Sequence, residues 1–150
     1  MDFSKVKGTF FLNNKFVDSK VANIHILNHS LHFGGAVFEG IRVYSKKPFY
    51  LNEHLDRLIN SCHLMKLKLK LTKQSLKKKI IKLIKINGIS DGYIRPIVFR
   101  DSNSMSPDTR NCKSQILIAI WKWKLLFHRE KISLCVAKYK KSNNSHYPIE

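Results

Sequence analysis

Two helical stripes stand in the middle of a chain whose other apolar runs are short and strand-like, and this order constrains the fold more than any other feature. Leu55, Leu58, Ile59, Cys62 and Met65 recur mostly at spacings of three and four, which predicts a helix over residues 53–67 with Asn52 as its N-cap. Thr72 caps a second helix whose stripe runs through Leu76, Ile80, Leu83 and Ile84, and Asn87-Gly88 ends it with a glycine where a left-handed residue is wanted. Ahead of the helices, residues 9–12 and 15–17 flank Asn13-Asn14 and read as a hairpin. Residues 23–27 are a further strand candidate. Gly34-Gly35 breaks the chain, a strand follows over 38–44, Lys46-Lys47-Pro48 make a turn, and 49–51 begin a partner strand. Behind the helices come strands over 93–100, 115–123 and 132–139, with a polar loop from 101 to 113. Strands, two helices, then strands is an α+β layout with a mainly antiparallel sheet, not a βαβ repeat. The last stretch, 140–150, is polar and aperiodic apart from Tyr147, Pro148 and Ile149.

A chain of 150 residues with 43% apolar content is long enough to bury one core. No apolar run approaches the roughly 18–20 residues of a membrane span, and Met1-Asp2-Phe3-Ser4-Lys5 has no secretory h-region. Cys62, Cys112 and Cys135 form no CxxC pair, so reduced thiols, a cytoplasmic location and no metal site are expected. The net charge of +18 raises the question of a nucleic-acid partner. The excess is mostly lysine, dispersed over segments such as 66–70, 77–79 and 138–141, and arginine, the better reader of phosphate and guanine, is scarce. Lysine, isoleucine and asparagine are abundant together and share A/T-rich codons. A base-composition bias therefore accounts for the charge, and no specific nucleic-acid or membrane partner is expected.

Side chains alternate across a strand. Over 38–44 one face carries Phe38, Gly40, Arg42 and Tyr44, and the other Glu39, Ile41 and Val43; over 93–100 one face carries Tyr93, Arg95, Ile97 and Phe99. Each strand sets an arginine and an aromatic on an otherwise apolar or open face. Such an arginine needs a partner. A backbone carbonyl, a tyrosine hydroxyl and a substrate carboxylate all qualify, and spacing by itself favours the backbone carbonyl.

The segment His29-Ser30-Leu31-His32-Phe33-Gly34-Gly35-Ala36-Val37-Phe38-Glu39-Gly40-Ile41-Arg42-Val43-Tyr44, with its FEGIR core, the YIRP run at 93–96 and the EHxxRL helix start at 53–58, resembles the fold-type IV pyridoxal-phosphate-dependent aminotransferases, most of all the branched-chain amino-acid aminotransferases. The resemblance covers nearly the whole chain and implies the small N-terminal α+β domain of that fold over residues 1–124. Residues 125–150 would then be the interdomain linker and the truncated first strand of the large domain. It implies amino transfer between leucine, isoleucine or valine and 2-oxoglutarate, with pyridoxal phosphate as cofactor. By the same resemblance Phe38 and Gly40 border the pocket for the aliphatic side chain, and Phe33 stands at the pocket mouth. Tyr93 contacts the substrate α-carboxylate with Arg42 hydrogen-bonded behind it, Arg95 meets the distal carboxylate of glutamate, Trp123 lines the pocket, and Arg57 binds the cofactor phosphate. The chain departs from the pattern at Phe33, where many members have tyrosine, and at Lys122, Lys124 and Leu126 around Trp123.

The Schiff-base lysine of that family would fall beyond Glu150, after Ser142-Asn143-Asn144-Ser145-His146-Tyr147-Pro148. No catalytic residue is therefore expected within the chain, and by itself it is expected to be inactive, a half that joins a C-terminal portion or forms a homo-oligomer. The alternatives are a remnant of a decaying gene acting at most as a basic binding or scaffold protein, and a related class IV enzyme such as a D-amino-acid aminotransferase.

Overall fold

The computed structural model describes residues 5–123, 131, 133–136 and 138. Strands β1 (Thr9–Leu12) and β2 (Lys15–Asp18) form the predicted hairpin. Asn13 and Asn14 both sit at positive φ, 45° and 71°, which suits the right-handed twist of a two-residue turn and suits asparagine. Helix α1 (His29–Phe33), β3 (Val37–Phe38), β4 (Ile41–Tyr44) and β5 (Lys47–Pro48) follow, then helices α2 (Leu51–Leu64) and α3 (Lys73–Ile86), and strands β6 (Gly92–Arg100) and β7 (Ser114–Lys122). All pairings are antiparallel, in the order β2-β1-β7-β6-β4-β5, with β3 also on β6. The expected α+β class holds.

One face of the sheet is sealed by α2 and α3. Leu51, Leu55, Leu58 and Cys62 of α2 and Leu76, Ile80, Leu83 and Ile84 of α3 are buried against Phe11, Ile41, Val43, Ile94, Val98, Ile116, Ile118 and Ile120. Burial pushes the Cys62 thiol up to about 11, so it stays protonated and behaves as a small apolar side chain. Thr72 accepts from the Ser75 amide as the predicted N-cap, and Gly88 closes the far end at φ 57°. Two lysines of α3 reach across rings, Lys79 over Phe11 and Lys82 over Phe16, each at 4.7 Å.

Several local expectations are corrected. Residues 23–27 are not a strand; Ile24, Ile26 and Leu27 are exposed, with no sheet partner to bury them. The expected strand over 38–44 is two short strands separated at Glu39-Gly40, where the Glu39 amide still bonds to the Pro96 carbonyl at 3.0 Å. Lys47–Pro48, not 49–51, pairs with β4, because Ser45 and Lys46 make a tight turn at positive φ. Helix α2 thus starts two residues early; its N-cap is Tyr50 at φ 44°, and Asn52, inside the helix, accepts from Lys77 Nζ. The five-residue helix α1 has no counterpart in the sequence reading, being too short to show a period. Its N-cap is the buried Asn28. Of the expected strand over 132–139, residues 133–136 are described and are not in a strand, and residues 132, 137 and 139 lie outside the described residues, as does the tail from 140 to 150.

Candidate active site

The second face of the sheet carries the side chains singled out from the sequence. Arg42 and Tyr93 are direct cross-strand partners, Tyr93 faces Trp121, and Arg95 faces Ala119. Tyr93, Arg95 and Trp121 therefore project to the side opposite Ile94, Ile118 and Ile120, which are fully or almost fully buried under the helices. The Tyr93 ring packs against Trp121 and Trp123, centroids 5.1 and 4.7 Å away, and the two indoles stack at 5.8 Å. Arg42 donates to the Trp123 carbonyl at 3.4 Å and lies 5.4 Å from the Tyr44 ring. Arg95 donates from Nη2 to the Tyr93 hydroxyl at 2.9 Å and stands over the Phe38 ring at 4.2 Å. Phe38, Arg42, Tyr93, Arg95 and Trp123 are thus brought together on one face.

Gly40 explains the close fit. A Cβ at this position would run into the Tyr93 hydroxyl, so only glycine lets that hydroxyl lie against the β3–β4 break. The hydroxyl's partner is Arg95, whereas the resemblance implied Arg42. Neither Arg42 nor Arg95 is in a salt bridge among the described residues, and Arg95 Nε is buried there without an acceptor. A buried guanidinium donor left unpaired costs about 1–3 kcal/mol until something accepts from it. Cations set among aromatic rings, with no carboxylate to neutralise them, form a surface suited to a carboxylate attached to an apolar body.

Phe33 lies elsewhere. It is half-exposed at the end of α1, and its ring partner is His29 at 4.7 Å. Arg57 also lies apart from the aromatic cluster, on α2. Its Nε and Nη2 both reach the Glu39 carboxylate at 2.5 Å, and His54 Nδ1 shares Glu39 Oε2 at 2.8 Å. Glu39 is 4% exposed, whereas the Arg57 side chain is 53% exposed. Burial alone would raise the Glu39 carboxyl; the hydrogen bonds and charges of Arg57 and His54 outweigh it and hold the carboxyl below the usual carboxylate range. Glu39 in turn raises the Arg57 guanidinium above its ordinary value.

Glu39, His54 and Trp121 are site-forming residues that the sequence reading left without a role. The signals were present. Alternation puts a carboxylate, Glu39, beside Ile41 and Val43 on the core face, where a charge requires a cation. The same alternation puts Trp121 on one face with Trp123, and the β6–β7 register sets it opposite Tyr93.

A family model, amino-transferase class IV, matches residues 36–148. The chain is 31% identical over 127 residues to the branched-chain-amino-acid aminotransferase of Pseudomonas aeruginosa, covering 82% of this chain and 41% of that protein. It superposes with a TM-score of 0.86 and 28% identity on the branched-chain aminotransferase of Thermoproteus uzoniensis with norvaline, over 95% of this chain and 50% of that one. The branched-chain amino acid aminotransferase of Escherichia coli gives a TM-score of 0.75 and 28% identity, over 80% of this chain and 41% of that one. The chain belongs to the class IV aminotransferases. Within that class its relatives are branched-chain aminotransferases, and it spans half or less of the length of those it matches.

Proposed function

We propose that this chain supplies the substrate-facing domain of an aminotransferase acting between leucine, isoleucine or valine and 2-oxo acids, with pyridoxal phosphate as cofactor. The observation that carries the reading is the Arg42–Tyr93–Arg95 group, positively charged, without an ion pair among the described residues and walled by Phe38, Trp121 and Trp123. In this proposal the aromatic wall takes the branched alkyl chain. Tyr93 and Arg42 hold the α-carboxylate, and Arg95, with its unpaired Nε, swings to a distal carboxylate when glutamate is the amino donor. A half-exposed guanidinium anchored from behind also fits a phosphate, so Arg57 is the residue that would hold the cofactor's phosphate. Pyridoxal phosphate, when bound, supplies the electron sink for amino transfer. The chain's own residues bind and orient the carboxylates and keep water from the alkyl chain. A cytoplasmic location, a homo-oligomeric assembly and a linker over 125–150 belong to the same proposal.

The tryptophans make the test direct, because the chain has only two and both stand in the cluster. Titrating 4-methylvalerate against tryptophan fluorescence is expected to give a saturable change that Arg42→Met weakens about tenfold, the loss of roughly 1.4 kcal/mol from one charge-assisted hydrogen bond. No response to any branched aliphatic carboxylate would sink the reading. Among the described residues the cluster offers arginine and tyrosine but no lysine amine. Borohydride reduction with pyridoxal phosphate is therefore expected to label no single lysine stoichiometrically, and the chain alone is expected not to transaminate leucine.

A further inference from the structure

The sheet carries a second polar assembly that the substrate-facing cluster does not use. Glu39 lies on the core face of the 37–44 segment, in line with Ile41 and Val43, both fully buried. A carboxylate there is expensive to desolvate, and Arg57 and His54 together satisfy both of its oxygens. If stability were the whole reason, an apolar residue would serve as well or better. The exposure of the two partners differs sharply: Glu39 is enclosed, while Arg57 stands half in solvent. The chelate takes Nε and Nη2 of the guanidinium, and Nη2 also lies 3.2 Å from His54 Nδ1, so Nη1 is the nitrogen left outside the chelate.

A free arginine samples many rotamers, and fixing one opposes binding. Here that ordering is done before any ligand arrives. The anchor is also tied to the substrate-facing cluster through consecutive residues. Phe38 stacks under Arg95, Glu39 holds Arg57, and Gly40 receives the Tyr93 hydroxyl. One three-residue step thus sets the position of both groups relative to each other.

We infer that Glu39 is a positioning residue, which with His54 fixes the outward edge of Arg57 for a phosphate monoester; this rests on the proposed function above. The sign of the effect discriminates between roles. A carboxylate near a phosphate repels it, so a Glu39 that acted only through its charge, or only to support the fold, would leave affinity unchanged or tighter when neutralised. A positioning Glu39 does the opposite.

The test uses the full 150-residue chain, nitrogen-15 labelled, in about 0.15 M salt to screen the dispersed lysines. The resonance followed is the Arg57 Nε–H, and the probes are 4-deoxypyridoxine 5'-phosphate, which cannot condense with lysine, and unphosphorylated 4-deoxypyridoxine. The phosphorylated probe is expected to shift the Arg57 signal saturably and the parent compound to leave it in place. Glu39→Gln is expected to weaken binding about tenfold, the usual loss when a partner that orients a ligand-binding group is removed, and to speed exchange of the Arg57 Nε–H. Glu39→Asp keeps the charge but cannot reach both nitrogens, and it is expected to weaken binding as well. It decides the matter if the glutamine variant does not fold. Unchanged or tighter binding in the folded variants would overturn the positioning role while leaving Arg57 as the phosphate anchor. An Arg57 signal indifferent to the phosphorylated probe in the unaltered chain would overturn both.

Discussion

Among single residues, Gly40 and Glu39 decide most. Gly40 is required by a neighbour, since its missing Cβ is the space the Tyr93 hydroxyl occupies. Gly40→Ala is expected to displace that hydroxyl, break its bond with Arg95 and destabilise the fold by about 1–3 kcal/mol, the usual range for overpacking; urea unfolding checks the stability, and altered tryptophan fluorescence reports the shifted ring. Glu39 links stability to pH. Its carboxyl is depressed in the folded chain, so the unfolded chain binds the proton more readily. The contribution is fully present above the ordinary carboxylate range and is lost as pH falls through the depressed folded value. The Glu39→Gln variant, with no such proton to take up, should show a flatter dependence of stability on pH below about 4. Urea unfolding of both chains across that range measures the difference, and parallel curves would contradict the linkage.

Among the elements, the two long helices are held by burial more than by their own propensity. Leu58 and Ile80 are fully buried where α2 and α3 meet the sheet. Truncating either to alanine is expected to lower unfolding free energy by about 2–5 kcal/mol. Thr72→Ala, which removes only the bond to the Ser75 amide, is expected to cost about 1 kcal/mol. Chemical denaturation of the three variants orders these effects, and a cap loss equal to the core losses would contradict this account of α3. Strands β3 and β4 behave differently from the helices. Each is short, and β6 pairs with both, which keeps them in register with one another.

For the molecule as a whole, a net charge of +18 is carried by 150 residues. Self-repulsion of this size opposes the compact state, and salt screens it within about 10 Å at 0.1 M. Raising sodium chloride from about 10 to 300 mM is expected to raise the melting temperature, read by circular dichroism at 222 nm, through that screening. A melting temperature that fell with salt would show that ion pairs such as Lys73–Asp56 outweigh the repulsion. The asymmetry of the sheet is equally a property of the whole. One face is dry under two helices, and the other keeps Phe38, Tyr44 and Tyr93 accessible beside two arginines.

Local and periodic signals, written in spacings of two and of three to four, were enough to define the α+β class, the hairpin at Asn13-Asn14 and the two long helices. They also put Arg42 with Phe38 and Tyr93 with Arg95. The FEGIR, YIRP and EHxxRL segments pointed to the family that the comparisons then showed. Which residues 50 or more positions apart share a face was legible only in three dimensions. Strand pairing set Tyr93 opposite Arg42, and packing gave the Tyr93 hydroxyl to Arg95 and closed Arg57 onto Glu39. It likewise removed the expected strand at 23–27, which had no neighbour to pair with, and supplied α1, too short to carry a period. The reason is the same in each case. A side chain's direction follows from its own few neighbours in sequence, but its partner is fixed by strand register and by the packing of α2 on the sheet.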